Sequence, residues 1–234
     1  MGRSWSKMLV LTGVAGAVAV AWRRVVDPWQ RTWGATEEEV GGALPGDDLV
    51  GEPAVEATRA VTVEAPPEAV WPWVAQLGAD RGGFYSYDWL ENLAGLGVHS
   101  ARRVVPAWQG FAEGDVVYAD AARTGGWRVA EVVPGRALVL QVVDVRTCRP
   151  LRRAEGLGGE FIWTFVLVPA GSGRTRLVVR ERVATGNPLA WLARGPVGLA
   201  SFVMTRRMLL GLRARAEARE AARTPLTVVP AATR

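Results

Sequence analysis

The middle of this 234-residue chain is dominated by short segments in which apolar and polar residues alternate. A two-residue period is typical of half-buried β-strands, and turns such as Thr124-Gly125-Gly126 and Pro134-Gly135 separate one segment from the next. The five segments are residues 115–119, 127–133, 137–145, 160–168 and 174–185. Because short turns join neighbouring strands, the chain is expected to build an antiparallel sheet.

Helices are expected on both sides of this run of strands. A first strand at 58–64 leads into a helix at 67–77, which Pro72 should kink or delay, and into a short helix at 87–96. Residues 199–222 form a long helical stretch without proline, apolar at first and then rich in Arg, Ala and Glu. This order predicts an α+β fold in which a curved antiparallel sheet wraps around a long C-terminal helix and leaves a hollow between them.

Several stretches of the sequence resemble one known group of proteins. They are APPEAVWPWV in the first helix, AEVVPGRALVL in one strand pair, WTFVLVP and RTRLVVRERV in another, and RGGFYSYDWLENLAGLGVHS at 81–100. Together with the terminal helix, they resemble the START-like superfamily, also called the SRPBCC or polyketide cyclase/Bet v 1-like group, and within it an uncharacterised bacterial branch. The resemblance covers about residues 30–220 and implies the helix-grip fold with an internal apolar cavity. Members bind lipids, hormones or polyketides and some are cyclases or hydrolases, but they share no catalytic motif, so the resemblance implies a cavity and no particular reaction.

Residues 81–100 concentrate the polar aromatic residues, with two of the three tyrosines and the only histidine of the chain. Aromatic rings with a polar tip, beside convergent polar groups, are typical of small-molecule sites. We therefore predict that this segment forms the mouth of the cavity. The predicted ligand contacts are Tyr85, Tyr87, Trp89, Asn92 and His99. The competing interpretation is structural, because aromatic residues beside Gly82-Gly83 often close a core and Asp88 could cap the helix that follows.

Strand alternation predicts two further ligand contacts deeper in the cavity, Trp163 and Glu181. In the last strand, Glu181 shares the apolar and therefore inward face with Val179. A buried carboxylate is costly unless it is paired, protonated or turned toward a ligand, and an inward salt bridge, for example to Arg207, is the alternative explanation. Trp163 belongs to an aromatic face that either lines a cavity or forms ordinary core. A weaker alternation in the strand at 127–133 places Trp127, Val129, Glu131 and Val133 on one face.

Charge and rare residues exclude several classes of function. The net charge is +5, but nearly all of the positive charge is arginine spread through the chain, so no nucleic-acid partner is expected. Cys148 is the only cysteine and His99 the only histidine, which leaves too few ligands for a soft-metal site and gives Cys148 no recognisable nucleophile context. Gly82-Gly83 lacks the spacing of a phosphate-binding loop, so no cofactor is predicted.

The N-terminus carries an uncharged apolar segment, residues 8–22, between Lys7 and Arg23-Arg24. A cleaved signal peptide is one interpretation, since Ala19-Val20-Ala21 supplies a small-x-small end, and an uncleaved anchor is the other. The arginines that follow the segment favour the anchor. We therefore predict a cell-membrane protein with a single-pass N-terminal anchor, with secretion after cleavage and a cytoplasmic location as alternatives.

The chain is accordingly divided into four parts. Residues 1–26 are the anchor or signal-like segment, and 27–56 are a linker in which Thr36 caps a short acidic helix. Residues 57–223 are the helix-grip domain, long enough for a substantial core, and 224–234 are a flexible tail.

Three functions are compatible with a helix-grip cavity. The one we favour is non-catalytic binding or carrying of a hydrophobic or amphipathic small molecule, lipid-like or polyketide-like. The second is an enzyme of the aromatase/cyclase type, in which His99 or Glu181 transfers protons. The third is a structural role, in which the aromatic side chains of the chain itself fill the cavity. An open apolar cavity would favour binding, and a carboxylate beside His99 at such a cavity would favour catalysis.

Overall fold

The computed structural model describes residues 20–152, 159–186 and 188–223. Within these ranges, a curved sheet of seven antiparallel strands has the order β1-β7-β6-β4-β3-β2, with the short β5 paired to β4. The strands are β1 Val55–Val63, β2 Val116–Tyr118, β3 Gly126–Val133, β4 Ala137–Asp144, β5 Arg149–Pro150, β6 Glu160–Pro169 and β7 Thr175–Ala184. A long C-terminal helix packs against one face of the sheet, so the predicted α+β helix-grip fold is confirmed.

The helices follow the predicted order, with additions at the N-terminus. They are α1 Asp27–Arg31, α2 Glu37–Gly41, α3 Pro67–Val74, α4 Asp88–Leu93 and α5 Pro188–Arg223, with a π-helical turn at Trp22–Val26 and 3₁₀ turns at Asp47–Leu49 and Pro106–Trp108. Helix α3 starts at Pro67 although Pro72 lies inside it, and α5 begins earlier than predicted and continues through Pro196. Thr36 caps α2 as predicted, since its hydroxyl accepts from the Glu39 N–H at 3.2 Å.

The main core lies between the concave face of the sheet, α3 and α5. Helix α5 contributes Met208, Leu209, Leu212 and Ala216, whose spacing places them along one side of a helix. The side chains from the sheet and α3 that meet them include Val61, Val70, Trp73, Leu138, Leu140, Phe165 and Leu177. This packing leaves the opposite face of the sheet to be covered by another part of the chain.

Residues 34–50 cover that outer face, and Arg180 of β7 holds them there. Its guanidinium donates to Thr58 Oγ1 at 2.9 Å, the Gly42 carbonyl at 2.9 Å, the Asp47 carboxylate at 2.6 Å, and the Glu39 and Val40 carbonyls at 2.7 and 2.9 Å. Three of these acceptors are carbonyls at the end of α2, where helices leave carbonyl groups without intrahelical partners. The segment predicted as a linker is therefore packed against the sheet.

Strand β3 departs from simple alternation. Its register against β4 shifts between Val129 and Glu131, as in a β-bulge. The extra residue reverses the two faces beyond it, so Val132 packs against the main core whereas Val133 is 39% exposed. The predicted common face of Trp127, Val129, Glu131 and Val133 is therefore wrong after Val129.

The predicted single-pass membrane location is wrong for the part of the chain that the structure describes. Within residues 20–152, 159–186 and 188–223, no helix is both long and apolar enough to cross a bilayer. Residues 1–19, which hold most of the predicted anchor, and residues 224–234, the predicted tail, lie outside the described ranges. The helical stretch that follows residue 19 leads into α1, where Trp29 packs edge-on against Phe202 of α5 at 5.1 Å between ring centroids.

Arg180→Lys should loosen the outer covering. Lysine keeps the positive charge but cannot reproduce the planar guanidinium fork, so acceptors in residues 39–47 lose their partner. We expect the free energy of unfolding in urea to fall by about 2–4 kcal/mol, with faster amide hydrogen exchange in 39–47. The control is Arg174→Lys, at an exposed position of the turn before β7. Equal stability and exchange in the two variants would contradict the anchoring role of Arg180.

Candidate functional site

A cavity of about 260 Å³ lies between the concave face of the sheet, α4 and α5. Its apolar wall includes Phe84, Trp127, Phe161, Trp163, Met204 and Met208. Its polar residues are Ser86, Glu91, Glu181, Ser201 and Thr205. A hollow with a mostly aromatic and methionine wall and a few polar side chains has the composition of a small-molecule site.

Strand alternation builds the aromatic wall. Phe161 and Trp163 stand two residues apart on β6 and both line the cavity. Trp127 of β3 lies beside Trp163, with 5.4 Å between ring centroids, and Phe84 lies 5.9 Å from Trp127 and 6.1 Å from Trp163. Offset and edge-on contacts of this kind favour fixed ring positions. The aromatic rings therefore pack against one another around the hollow.

The carboxylate of Glu181 ties the sheet to α5. The structure places this side chain on the inward face, as alternation predicts, and its partner is Arg59 of β1 rather than Arg207. Its Oε2 accepts from Arg59 Nη1 at 3.1 Å and from the Ser201 hydroxyl, and its Oε1 accepts from the Thr205 hydroxyl at 2.5 Å. Both oxygens are engaged by these donors, so Glu181 is an anchor for α5.

Glu91 of α4 is a second carboxyl group in the wall, with different surroundings. It is 6% exposed, and its Oε2 finds no hydrogen-bond partner among the described residues. Burial raises its pKa from 4.5 to about 7, and the negative charge of Asp88 on the same helix adds to the rise. Asp88 itself accepts from the backbone N–H and hydroxyl of Ser100 at 2.8 and 2.6 Å. Glu91 can therefore take up or release a proton near neutral pH.

Two indole N–H groups of the wall are also unsatisfied. Nε1 of Trp127 and Nε1 of Trp163 are buried, and neither meets an acceptor within the described part of the chain. A buried donor without an acceptor costs about 1–3 kcal/mol, and native structures contain few of them. Because an indole N–H only donates, each group could be satisfied only by an acceptor oxygen.

Tyr85 is a core residue behind this wall. It is 1% exposed, its ring meets Trp73 edge-on at 5.9 Å, and its hydroxyl accepts from Gln76 Nε2 at 2.9 Å. The Arg215 guanidinium lies 4.8 Å from the centre of its ring. Burial raises the pKa of the Tyr85 phenol well above its ordinary value. The structure therefore gives Tyr85 a packing role between α3 and α5.

Four other predicted ligand contacts surround α4 without lining the cavity: Tyr87, Trp89, Asn92 and His99. Trp89 is 67% exposed and lies 6.4 Å from the Tyr87 ring, and His99 is exposed. The Asn92 side chain bonds the N–H and carbonyl of Val98 at 2.7 and 2.9 Å, which closes the loop after α4. These contacts are structural, and the ligand-binding role of the four residues stays a prediction.

The structure thus brings Trp163 and Glu181 together at the cavity, where their contact with a ligand also stays a prediction. Sequence reasoning did not identify Trp127 or Glu91 as wall residues. Trp127 shares one face of its strand with the apolar Val129, and this alternation could have identified Trp127 as a wall residue. No signal of periodicity identifies Glu91, because helix α4 is too short to define a face.

No family model matches this chain, and no curated protein matches it in sequence. Among solved structures, it is similar to the ZhuI aromatase/cyclase of Streptomyces sp. R1128, at 16% identity over 74% of this chain and 99% of that one, with a TM-score of 0.45. A protein from Thermobifida fusca is 16% identical over 70% and 95% of the two chains, with a TM-score of 0.45. A protein from Chromobacterium violaceum is 19% identical over 69% and 96%, with a TM-score of 0.40. At these identities and TM-scores the matches carry no argument about function, which has to be argued from the residues of this chain.

Glu91→Gln should remove the contribution of the Glu91 carboxyl group to the pH dependence of the free energy of unfolding. The folded protein retains the Glu91 proton up to about pH 7, whereas an unfolded chain releases it near pH 4.5, so this group weakens the fold as pH rises through that interval. In urea unfolding, the stability of the variant relative to the wild type should therefore increase by roughly 1–3 kcal/mol between about pH 5 and pH 8.

The matched control is Glu113→Gln, at an exposed position before β2. It should follow the wild-type dependence of stability on pH. The same dependence in Glu91→Gln would show that Glu91 is not held protonated by the fold.

Proposed function

We propose that this protein binds or carries a small, largely hydrophobic molecule in the cavity between the sheet and α5, without transforming it. The supporting observation is the cavity of about 260 Å³ with its aromatic and methionine wall. Apolar surface gains about 25 cal/mol per Å² when it leaves water, and a wall formed in advance limits the ordering cost of binding. The network at Glu181 and the ring contacts around Trp163 supply that preorganisation.

The volume of the cavity narrows the class of ligand. Pockets for drug-sized molecules measure about 300–1,000 Å³, and this cavity of about 260 Å³ is slightly smaller. A compact ring system or one short acyl chain therefore fits better than a two-chain lipid or an extended polyketide. The structural role, with the cavity filled by the protein's own rings, is disfavoured because Trp127, Phe161 and Trp163 surround the space instead of occupying it.

An aromatase/cyclase-type reaction is the second candidate. Glu91 replaces His99 and Glu181 as its proposed proton carrier. His99 is exposed and outside the wall, and both oxygens of Glu181 already accept hydrogen bonds. Glu91 is the group that favours this candidate, because its pKa near 7 suits general acid–base chemistry. Binding remains the better supported function, since it needs only the hollow and its wall.

Met204→Trp should block the cavity. Met204 lines the hollow from α5, and an indole in its place occupies space that a ligand needs. With naphthalene as the probe, we expect equilibrium dialysis of the full chain to show at least about tenfold weaker binding, because the ring system loses its apolar contacts. Native mass spectrometry of the protein isolated from its own kind of host should show a bound small molecule in the wild type and not in the variant.

The control is Val203→Trp, which adds the same bulk at the neighbouring position, where the side chain is 37% exposed and does not line the cavity. It should bind naphthalene like the wild type. Circular dichroism and thermal unfolding of both variants check that each remains folded. Failure of the wild type to bind naphthalene, or equal binding by a folded Met204→Trp, would refute the proposed function.

A further inference from the structure

The cavity wall contains polar side chains but offers a ligand almost no polar surface. Most of the accessible surface of the wall belongs to apolar atoms, although five of its residues are polar or charged. Resting on the proposed function, we infer that the cavity selects a hydrocarbon without polar substituents and discriminates against ring compounds that bring a hydroxyl group into it. Such a wall rejects a polar molecule by leaving its hydroxyl group without a hydrogen-bond partner.

The hydroxyl groups of the wall already use their protons within the protein. Ser201 and Thr205 each donate to the carboxylate of Glu181. The hydroxyl of Ser86 donates to the Met204 carbonyl, with 3.2 Å between the two oxygens. Because a hydroxyl group has one proton, none of these three residues retains a donor for a ligand.

The other polar atoms of the wall are sealed inside it. Nε1 of Trp127, Nε1 of Trp163 and Oε2 of Glu91 have almost no accessible surface, although the cavity is large enough to admit water-sized molecules. Glu91 as a whole is only 6% exposed. A ligand in the cavity therefore contacts the carbon atoms of the two indole rings and does not reach their N–H groups.

Aromatic rings and thioethers form the surface that a ligand contacts. Phe84, Phe161, Met204 and Met208 join the two indoles in this surface. Dispersion contacts with such groups stabilise any hydrocarbon of suitable shape and need no functional group on the ligand. A hydroxyl group that enters a space without hydrogen-bond partners loses more free energy than it loses in octanol, where partial compensation occurs. Selectivity therefore comes from the penalty on polar ligands.

Two ring compounds of nearly the same shape test the inference: 2,6-dimethylnaphthalene and 2,6-dihydroxynaphthalene. Their substituents stand at opposite ends of the ring system, so one substituent enters the cavity whichever end goes in first. Equilibrium dialysis of the full chain gives the two dissociation constants, and their ratio is divided by the ratio of the octanol–water partition coefficients. We expect the dimethyl compound to remain favoured by at least about tenfold after this correction.

Met204→Gln assigns the selectivity to the wall. Glutamine has a side chain of similar length to methionine, and its amide can both donate to a hydroxyl group and accept from it. The corrected preference for the dimethyl compound should therefore fall at least about threefold. The control is Val203→Gln, which adds the same amide at a position that is 37% exposed and does not line the cavity, and it should keep the wild-type preference. Circular dichroism and thermal unfolding check that both variants are folded.

The outcomes separate this inference from the proposed function. A corrected preference below about tenfold in the wild type, with both compounds bound, refutes the inference and leaves the proposed function standing. An unchanged preference in a folded Met204→Gln also refutes it, because the selectivity would then not arise from the wall. If Met204→Gln does not fold, the wild-type ratio decides alone. If neither compound binds, the inference and the proposed function both fail.

Discussion

The hydrogen bonds of the Glu181 carboxylate hold the C-terminal helix to the sheet, and the cavity depends on them. Arg59 and Glu181 join adjacent strands β1 and β7, while Ser201 and Thr205 bring α5 onto the same carboxylate. A buried ion pair costs several kcal/mol in lost hydration, and only good geometry with additional hydrogen bonds compensates for it. The preceding residue in the strand, Arg180, points to the opposite face and holds the outer covering. Two neighbouring residues of one strand thus connect all three layers of the molecule.

The two carboxyl groups that line the cavity, Glu181 and Glu91, have different surroundings. Glu181 has a cation and two hydroxyl groups for its oxygens, so its charge serves the fold. Glu91 has no such partners for Oε2, and burial next to Asp88 raises its pKa toward neutrality. Different surroundings are a general means by which proteins assign different tasks to two acidic groups.

Periodicity predicted the architecture because the pattern of apolar and polar residues within each segment is enough to indicate a strand or a helix. Alternation located the strands and the inward face of Glu181, and the long apolar stretch located α5. The bulge in β3 escaped prediction because it depends on the match between two strands, not on the composition of either. Arg59 could not be identified as the partner of Glu181, since the two are far apart in sequence and only the pairing of β1 with β7 brings them together. The role of segment 81–100 as the mouth of the cavity stays a prediction, and several of its polar groups bond within the segment, as Asn92 does to Val98 and Asp88 to Ser100.

Helix α4 exposes its large apolar side chains and buries a carboxyl group, which the hydrophobic effect alone does not favour. Leu93 is 78% exposed and Trp89 is 67% exposed, whereas Glu91 on the same short helix is 6% exposed. Burying an apolar side chain gains roughly 1.5–3 kcal/mol and burying a carboxyl group has a cost, so both terms oppose this orientation. The hydrogen bonds of Asp88 and Asn92 to the following loop hold the helix in place from both ends. The orientation of α4 therefore depends on these hydrogen bonds to the loop and not on the burial of its apolar side chains.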